Sequence, residues 1–384
     1  MGLEKIFVAL LAKEIFNKEI DEEAIKNQLN NIELVKALYA LSKMHDLAHI
    51  ICLALKHIGV WGKEEVFDKF LDAQSMAVYR YEQQKYEYEK VCCAFEEAKI
   101  PYMPLKGVCM KHLYPEEWMR TSSDIDILVK QEDVKAAEKL MTEKCGYKNV
   151  GHYRTEASFH NEGGACVEIH FLSSEYITIE IPLDVWEKAH RVENSCKHIM
   201  PEEMFYYHTV SHLAKHLCAN GCGIKPFLDL YILDKEFDFD KHKAQELLKQ
   251  YNLDKAEKAM LKTAKVWFDA EESDKLTEIM RKRVLLSGSY GNKTTSSRTI
   301  HKNRGGKIRY ILWLFLPDRT EMERRYPILK QHPNKLVLYH FKRWGHLIFG
   351  GRIKSSAKII GENMAIPTQE VDNLKFMLNQ MGLE

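Results

Sequence analysis

Thr121-Ser-Ser-Asp-Ile-Asp-Ile-Leu-Val129 is the stretch on which the reading of this chain turns. Its second half, Ile125–Val129, is apolar and carries two branched isoleucines, which predicts a β-strand. Side chains two apart in a strand project from one face, so Asp124 and Asp126 point the same way. Adjacent like charges repel, and a fold rarely keeps them without a compensating cation. The apolar flanks sink the strand into a core and leave the two aspartates at its exposed lip. That arrangement suits a divalent metal, and hard carboxylate oxygens suit magnesium. Many Asp-x-Asp pairs are plain surface charges, so the surroundings decide.

Upstream, Ile100-Pro-Tyr-Met-Pro-Leu105 is too short and too broken for a helix and reads as a strand entered from one. It ends at Leu105-Lys-Gly107, where a glycine lets backbone N–H groups approach a phosphate closely before a brief helix over Val108–Tyr114. Downstream, Asp133–Lys144 has one apolar stripe (Val134, Ala137, Leu140, Met141), Asp133 as its expected cap and Gly146 as its stop. Thr155–His160 and Ala165–Phe171, separated by Asn161-Glu-Gly-Gly164, predict a hairpin. Its second strand holds a third carboxylate, Glu168, and His170 is assigned to the opposite strand face and left out of the metal set. Three carboxylates on neighbouring strands beside a glycine turn make a two-metal phosphoryl-transfer site conceivable.

The flanks read as helical. Glu64–Ala98 has the longest three- and four-residue periodicity, after a break at Gly59-Val-Trp-Gly62, and its tyrosines (79, 81, 86, 88) are expected to pack. The chain turns helical again after Pro201. The expected division is therefore a helical region over 1–98, an α/β core over 99–195 and a helical region over 196–384, with Gly288–Arg298 the best linker. Between Arg281 and Ile360, 19 Lys and Arg face 3 Asp and Glu, while the remaining residues hold 37 basic and 52 acidic side chains. A basic end beside an acidic body suits nucleic acid, a nucleotide's phosphates or the acidic body itself.

The first sixteen residues read as an amphipathic helix rather than a secretory leader, and the longest apolar run, Ile311–Leu316, is far short of a membrane span. Nine cysteines without a CxxC pair point to reduced thiols and the cytoplasm. His208, His212 and His216 recur every four residues on one helix face; without a His-Glu-x-x-His pattern they read as packing or pocket residues, with Asp229 as a partner for one of them. Gly288–Thr294 lacks the glycine–lysine adjacency of a phosphate loop, and Gly221-Cys-Gly223 lacks the third glycine of a dinucleotide site.

Taken in order, Lys106-Gly107, Tyr114-Pro115, Arg120, Asp124-x-Asp126, Gly146-Tyr147 and Glu168-Ile-His170 resemble the nucleotidyltransferases of the polymerase-β-like superfamily, in the branch whose signature opens with Leu-Lys-Gly. The resemblance extends through His212-Leu-Ala-Lys-His216, Pro226-Phe-Leu-Asp229 and Arg324-Arg-Tyr-Pro327 and covers roughly residues 85–350. It implies an α+β fold, a small mixed-sheet core flanked by N- and C-terminal helical regions. It implies an enzyme moving a nucleoside monophosphate from a nucleoside triphosphate to an acceptor that the sequence leaves unnamed. Asp124, Asp126 and Glu168 would hold Mg2+ (or Mn2+), with Glu168 accepting the hydroxyl proton. Lys106 and Gly107 would cradle phosphates, Arg120 would offset phosphoryl charge and Ser123 would assist; His212, His216 and Asp229 would border the pocket. The sequence departs from the wider pattern in that Val108 follows Gly107 and sixteen residues separate Gly107 from Asp124, so the hydroxyl usual at the turn is missing.

Two other readings stay open. A glycosyltransferase grips a nucleotide-sugar through Asp-x-Asp, but after a nucleotide-binding α/β half, whereas a mostly helical stretch precedes the motif here. A non-catalytic scaffold would keep the fold and use the basic region to hold nucleic acid or protein.

Overall fold

The computed structural model describes residues 1–153, 155–172, 180–289, 291, 313, 316–349 and 367–383. Most of the Gly288–Arg298 linker candidate, the phosphate-loop look-alike within it, the apolar run at Ile311 and much of the basic region fall outside them.

Five helices come first: α1 (Leu3–Phe16), α2 (Glu22–Leu29), α3 (Ile32–Met44), α4 (Ala48–His57) and α5 (Glu65–Ala98). The break at Gly59–Gly62 and the full length of α5 match the periodicity. Helix α1 is buried on more of its surface than an amphipathic reading implies, with Ile6, Phe7, Leu10 and Leu11 at 0% exposure. The tyrosines of α5 divide: Tyr79 and Tyr86 are 59% and 65% exposed, so the packing expectation fails for those two.

The sheet has the order β1-β2-β5-β4-β3, from β1 (Tyr102–Pro104), β2 (Ile125–Val129), β3 (Lys148–His152), β4 (Glu156–His160) and β5 (Cys166–Phe171). Strand β2 is antiparallel to β1 and parallel to β5, which makes the sheet mixed. The predicted hairpin forms as β4 and β5; Asn161 Oδ1 accepts from the Ala165 N–H at 2.9 Å, and Gly164 takes φ +81° to close the turn. Strand β3, with alternation too weak to mark it, extends the edge beyond the hairpin. Between β1 and β2 lies the short helix α6 (Gly107–Met110), and after β2 comes α7 (Val134–Glu143), where Asp133 occupies the capping position without a side-chain bond to the helix. One sheet face packs Ile125, Ile127 and Val129 with Ile169 and Phe171 against α7 and the end of α5.

The short α8 (Val185–Lys188) and the two-stranded β6–β7 (His190–Arg191, His198–Ile199) lead into α9 (Glu202–Cys218), α10 (Lys225–Glu236), α11 (Lys241–Gln250), α12 (Asp254–Phe268) and α13 (Lys275–Ser287). Phe227 and Leu230 of α10 and Ala264 of α12 join Ile6, Leu10 and Ile50 from the N-terminal helices in one apolar core, and a later helix over Thr368–Gln380 adds Leu374 and Met377. The fold is α+β, and helices from both ends of the chain wall the sheet. No helix among the described residues is long and apolar enough to cross a membrane.

Candidate active site

The site is built at the end of β2. Parallel pairing sets Asp126 directly opposite Glu168 of β5, so two carboxylates from different strands meet by register. Asp126 is buried at 3% exposure, not at an exposed lip as the sequence suggested, because Ile125 and Ile127 on either side pull the strand into the core. Its charge is compensated inside the protein: Lys106 Nζ donates to Asp126 Oδ1 at 2.8 Å, and His170 Nε2 donates to the same oxygen at 2.7 Å. Burial alone would push this carboxyl up, but the Lys106 charge and the His170 hydrogen bond outweigh it and hold it far below the usual range.

His170 corrects the sequence reading. Residues 168 and 170 are two apart and share a strand face. The ring comes within 3.5 Å of Glu168 Oε2, and ligand atoms of Asp126, Glu168 and His170 all lie within 4.8 Å of one another. Burial disfavours the imidazolium, yet hydrogen bonds to Asp126 and Glu168 prevail and lift His170 to about 9. Asp124 stands outside this tight group. Its carboxyl is pushed up to about 6 by burial and by the charges of Asp126 and Glu168, against the pull of Lys106.

The turn before α6 supplies the next wall. Lys106 takes φ +47°, rare for a residue with a side chain, and this turns its amine toward Asp126. Gly107 is buried, and a Cβ there would lie 3.2 Å from both Cβ and Oγ of Ser122, so a side chain at this turn meets the Ser122 loop in tight contact. Ser123 is exposed at the rim.

Arg120 is engaged differently from the expectation. Its Nε donates to Asp229 Oδ1 at 2.8 Å and its Nη2 to Oδ2 at 2.7 Å, while Nη1 donates to the Thr121 carbonyl. Asp229, expected beside a histidine, instead takes this fork and the Tyr114 hydroxyl at 2.8 Å, which locks α10 to the Arg120 loop. Nearby, Lys225 Nζ donates to Asp46 Oδ2 at 2.6 Å and to Thr121 Oγ1 at 2.8 Å, tying the end of α3 to the same loop.

Helix α9 closes the far side. His212 Nδ1 donates to Glu180 Oε1 at 3.2 Å, the Nε2 atoms of His212 and His216 lie 3.0 Å apart, and Lys215 also reaches Glu180 at 2.9 Å. His208 donates from Nδ1 to the Glu180 carbonyl and leaves Nε2 without a partner among the described residues. Burial lowers His208 to about 4 and His212 to about 3, so both rings are neutral.

All these walls enclose one cavity of about 380 Å3, within the size range of small-molecule sites. Lys106, Gly107, Arg120, Ser123, Asp124, Asp126, Glu168, His212, His216 and Asp229 all border it. Sequence reasoning missed Glu156, Lys215 and Lys225, which border it too. Glu156 was legible by two-residue spacing in the hairpin; the two lysines carry no local signal, since folding alone brings them there.

No curated protein and no solved structure matches the chain. The family model described as uncharacterised nucleotidyltransferase matches residues 31–269, from α3 through α12 and across all of the cavity lining but Ser289. With more than half its length matched and an acidic pair seated at the parallel strands of a mixed sheet, the chain belongs to that nucleotidyltransferase family.

Proposed function

We propose that the protein transfers a nucleoside monophosphate from a nucleoside triphosphate to a hydroxyl or phosphate of an acceptor, using Mg2+ or Mn2+ held by Asp124, Asp126 and Glu168. The observation that carries this reading is the cross-strand meeting of Asp126 and Glu168 beside the Lys106–Gly107 turn. The donor set fits a divalent cation: the carboxylates of Asp126 and Glu168 cluster, and Asp124 borders the same cavity, which is able to take a nucleotide's phosphates. A divalent ion bound there supplies charge neutralisation for the phosphates and the departing pyrophosphate.

The residues divide the work. The acceptor oxygen forms a bond to the α-phosphorus while the bond to the β-phosphate oxygen breaks, and Glu168 takes the acceptor's proton where that acceptor is a hydroxyl. Lys106 leaves Asp126 for the β- and γ-phosphates, which the Gly107 turn lets approach. Arg120 contributes positive charge from the wall while its fork stays on Asp229, and Ser123 meets the phosphates at the rim. His212 and His216 border the acceptor side. In this reading 99–195 carries the chemistry, 196–384 lines its far side, 1–98 braces it, and nine cysteines without a CxxC pair support a reducing, cytoplasmic setting.

Incubation with each labelled nucleoside triphosphate, Mg2+ or Mn2+ and cell extract tests it. The wild type should transfer label and Asp126→Asn should not. Label moved from a nucleotide-sugar's sugar instead, or none from any triphosphate, overturns it.

A further inference from the structure

We infer that His170 is a nitrogen ligand of the cation in this site, and that the site therefore selects a first-row transition ion of the Mn2+ to Zn2+ series over Mg2+. The inference rests on the proposed metal-dependent reading and adds to it the class of ion.

Three observations lead there. First, His170 shares a face of β5 with Glu168, and its Nε2 lies 2.7 Å from Asp126 Oδ1 and 3.5 Å from Glu168 Oε2, so it sits among the two carboxylates, where a bound ion takes the place of the proton Nε2 now donates to Asp126. Second, a carboxylate stands within ion-pair distance of the ring's other nitrogen. Register pairs His170 with Glu156 of β4, and Glu156 Oε2 lies 3.9 Å from His170 Nδ1. A carboxylate on the far nitrogen of an imidazole fixes its orientation and raises its basicity toward a metal. Third, in the nucleotide-free protein Lys106 donates to the same Asp126 oxygen, so Asp126 keeps a cationic partner when His170 turns its nitrogen to an ion.

The ion class follows from ligand chemistry. Mg2+ prefers oxygen donors and gives up its waters reluctantly, so an imidazole in its shell is a poor exchange. Later first-row divalent ions gain from imidazole nitrogen, and a mixed nitrogen and carboxylate set is typical of them.

Mn2+ added to the full chain without nucleotide tests the assignment through electron spin-echo modulation, which reports nitrogen bonded to the ion. The wild type should show 14N modulation, and uniform 15N-histidine labelling should replace it with the 15N pattern. In His170→Gln the nitrogen signal should disappear, with Mn2+ affinity falling by about 10- to 100-fold and Mg2+ affinity changing less than about threefold. Glu156→Gln should keep the modulation and weaken Mn2+ binding. No histidine modulation in the wild type, modulation persisting in His170→Gln, or an equal loss of Mg2+ and Mn2+ affinity overturns the inference. The labelling result stands without any variant, so it survives a substitution that fails to fold. Label transfer by a protein lacking the nitrogen signal would sink this inference alone; the signal in a protein that transfers no label would sink the catalytic reading alone.

Discussion

Asp126 accepts from two cationic side chains through one oxygen while nearly fully buried, so its charge holds the site together as well as serving it. Asp126→Asn should abolish nucleotidyl transfer, at least about a hundredfold, since removing even a residue that orients a metal ligand costs 10- to 100-fold. The same variant leaves Lys106 facing a neutral amide, so thermal unfolding should move down in parallel and separate the two roles. Arg120 gives a contrasting case. Its fork on Asp229 is a buried pair, and Arg120→Ala should destabilise the fold by about 3–5 kcal/mol in urea unfolding, because it strands a buried carboxylate. Arg120→Ala with Asp229→Asn should recover part of that loss. The carboxylates were legible from the two-residue repeat of a strand. The Arg120–Asp229 pair was not, since 109 residues separate its members and no local pattern joins them. His170 was legible and misread: the spacing that placed Asp124 with Asp126 also places it with Glu168.

The turn from β1 into α6 is where one element decides reactivity. Gly107 packs against Ser122, so Gly107→Val makes Ser122 give by at least a few tenths of an ångström next to the Asp124 segment. Displacements near 1 Å can cost on the order of 10²-fold in rate. The expected result is a large fall in transfer rate with a modest shift in melting temperature; an unchanged rate would mean that the turn does not position the phosphates. The sequence marked this turn by its glycine but offered no sign that Lys106, not Gly107, takes the left-handed conformation. The β4–β5 hairpin was plain from its Asn-Glu-Gly-Gly turn. Strand β3 escaped because Lys148–His152 is mostly exposed and has no apolar alternation to give it away.

At the scale of the whole molecule, buried histidines set the response to acid. His45, His49 and His208 are each lowered to about 4, His212 to about 3, and His216 in the same direction, with burial as the main cause. A base held below its unfolded value, near 6.5, contributes full stability above that value and loses it as pH falls toward 4. Each such ring removes about 1.4 kcal/mol per pH unit across that window. Asp124, raised to about 6, binds its proton earlier when folded and offsets one such ring between pH 6 and 3.8. His170, raised to about 9, is already protonated in both states for most of the window. The urea midpoint should therefore drop between pH 7 and pH 5, and a flat profile would contradict the burial of these rings. Deleting residues 367–384 should lower the melting temperature too, because Leu374 and Met377 leave the shared core. The helical flanks were legible from periodicity, but their merging into one core was not, since periodicity says which face is apolar and not what covers it. Lys225 bonded to Asp46 makes that merging concrete. A ribosome releases Asp46 about 180 residues before its partner, so the early helices can pack on one another but lack the cover of α10 and α12 while translation continues. The cavity itself can close only once synthesis is well past its midpoint, because Lys225 and Asp229 form part of its lining.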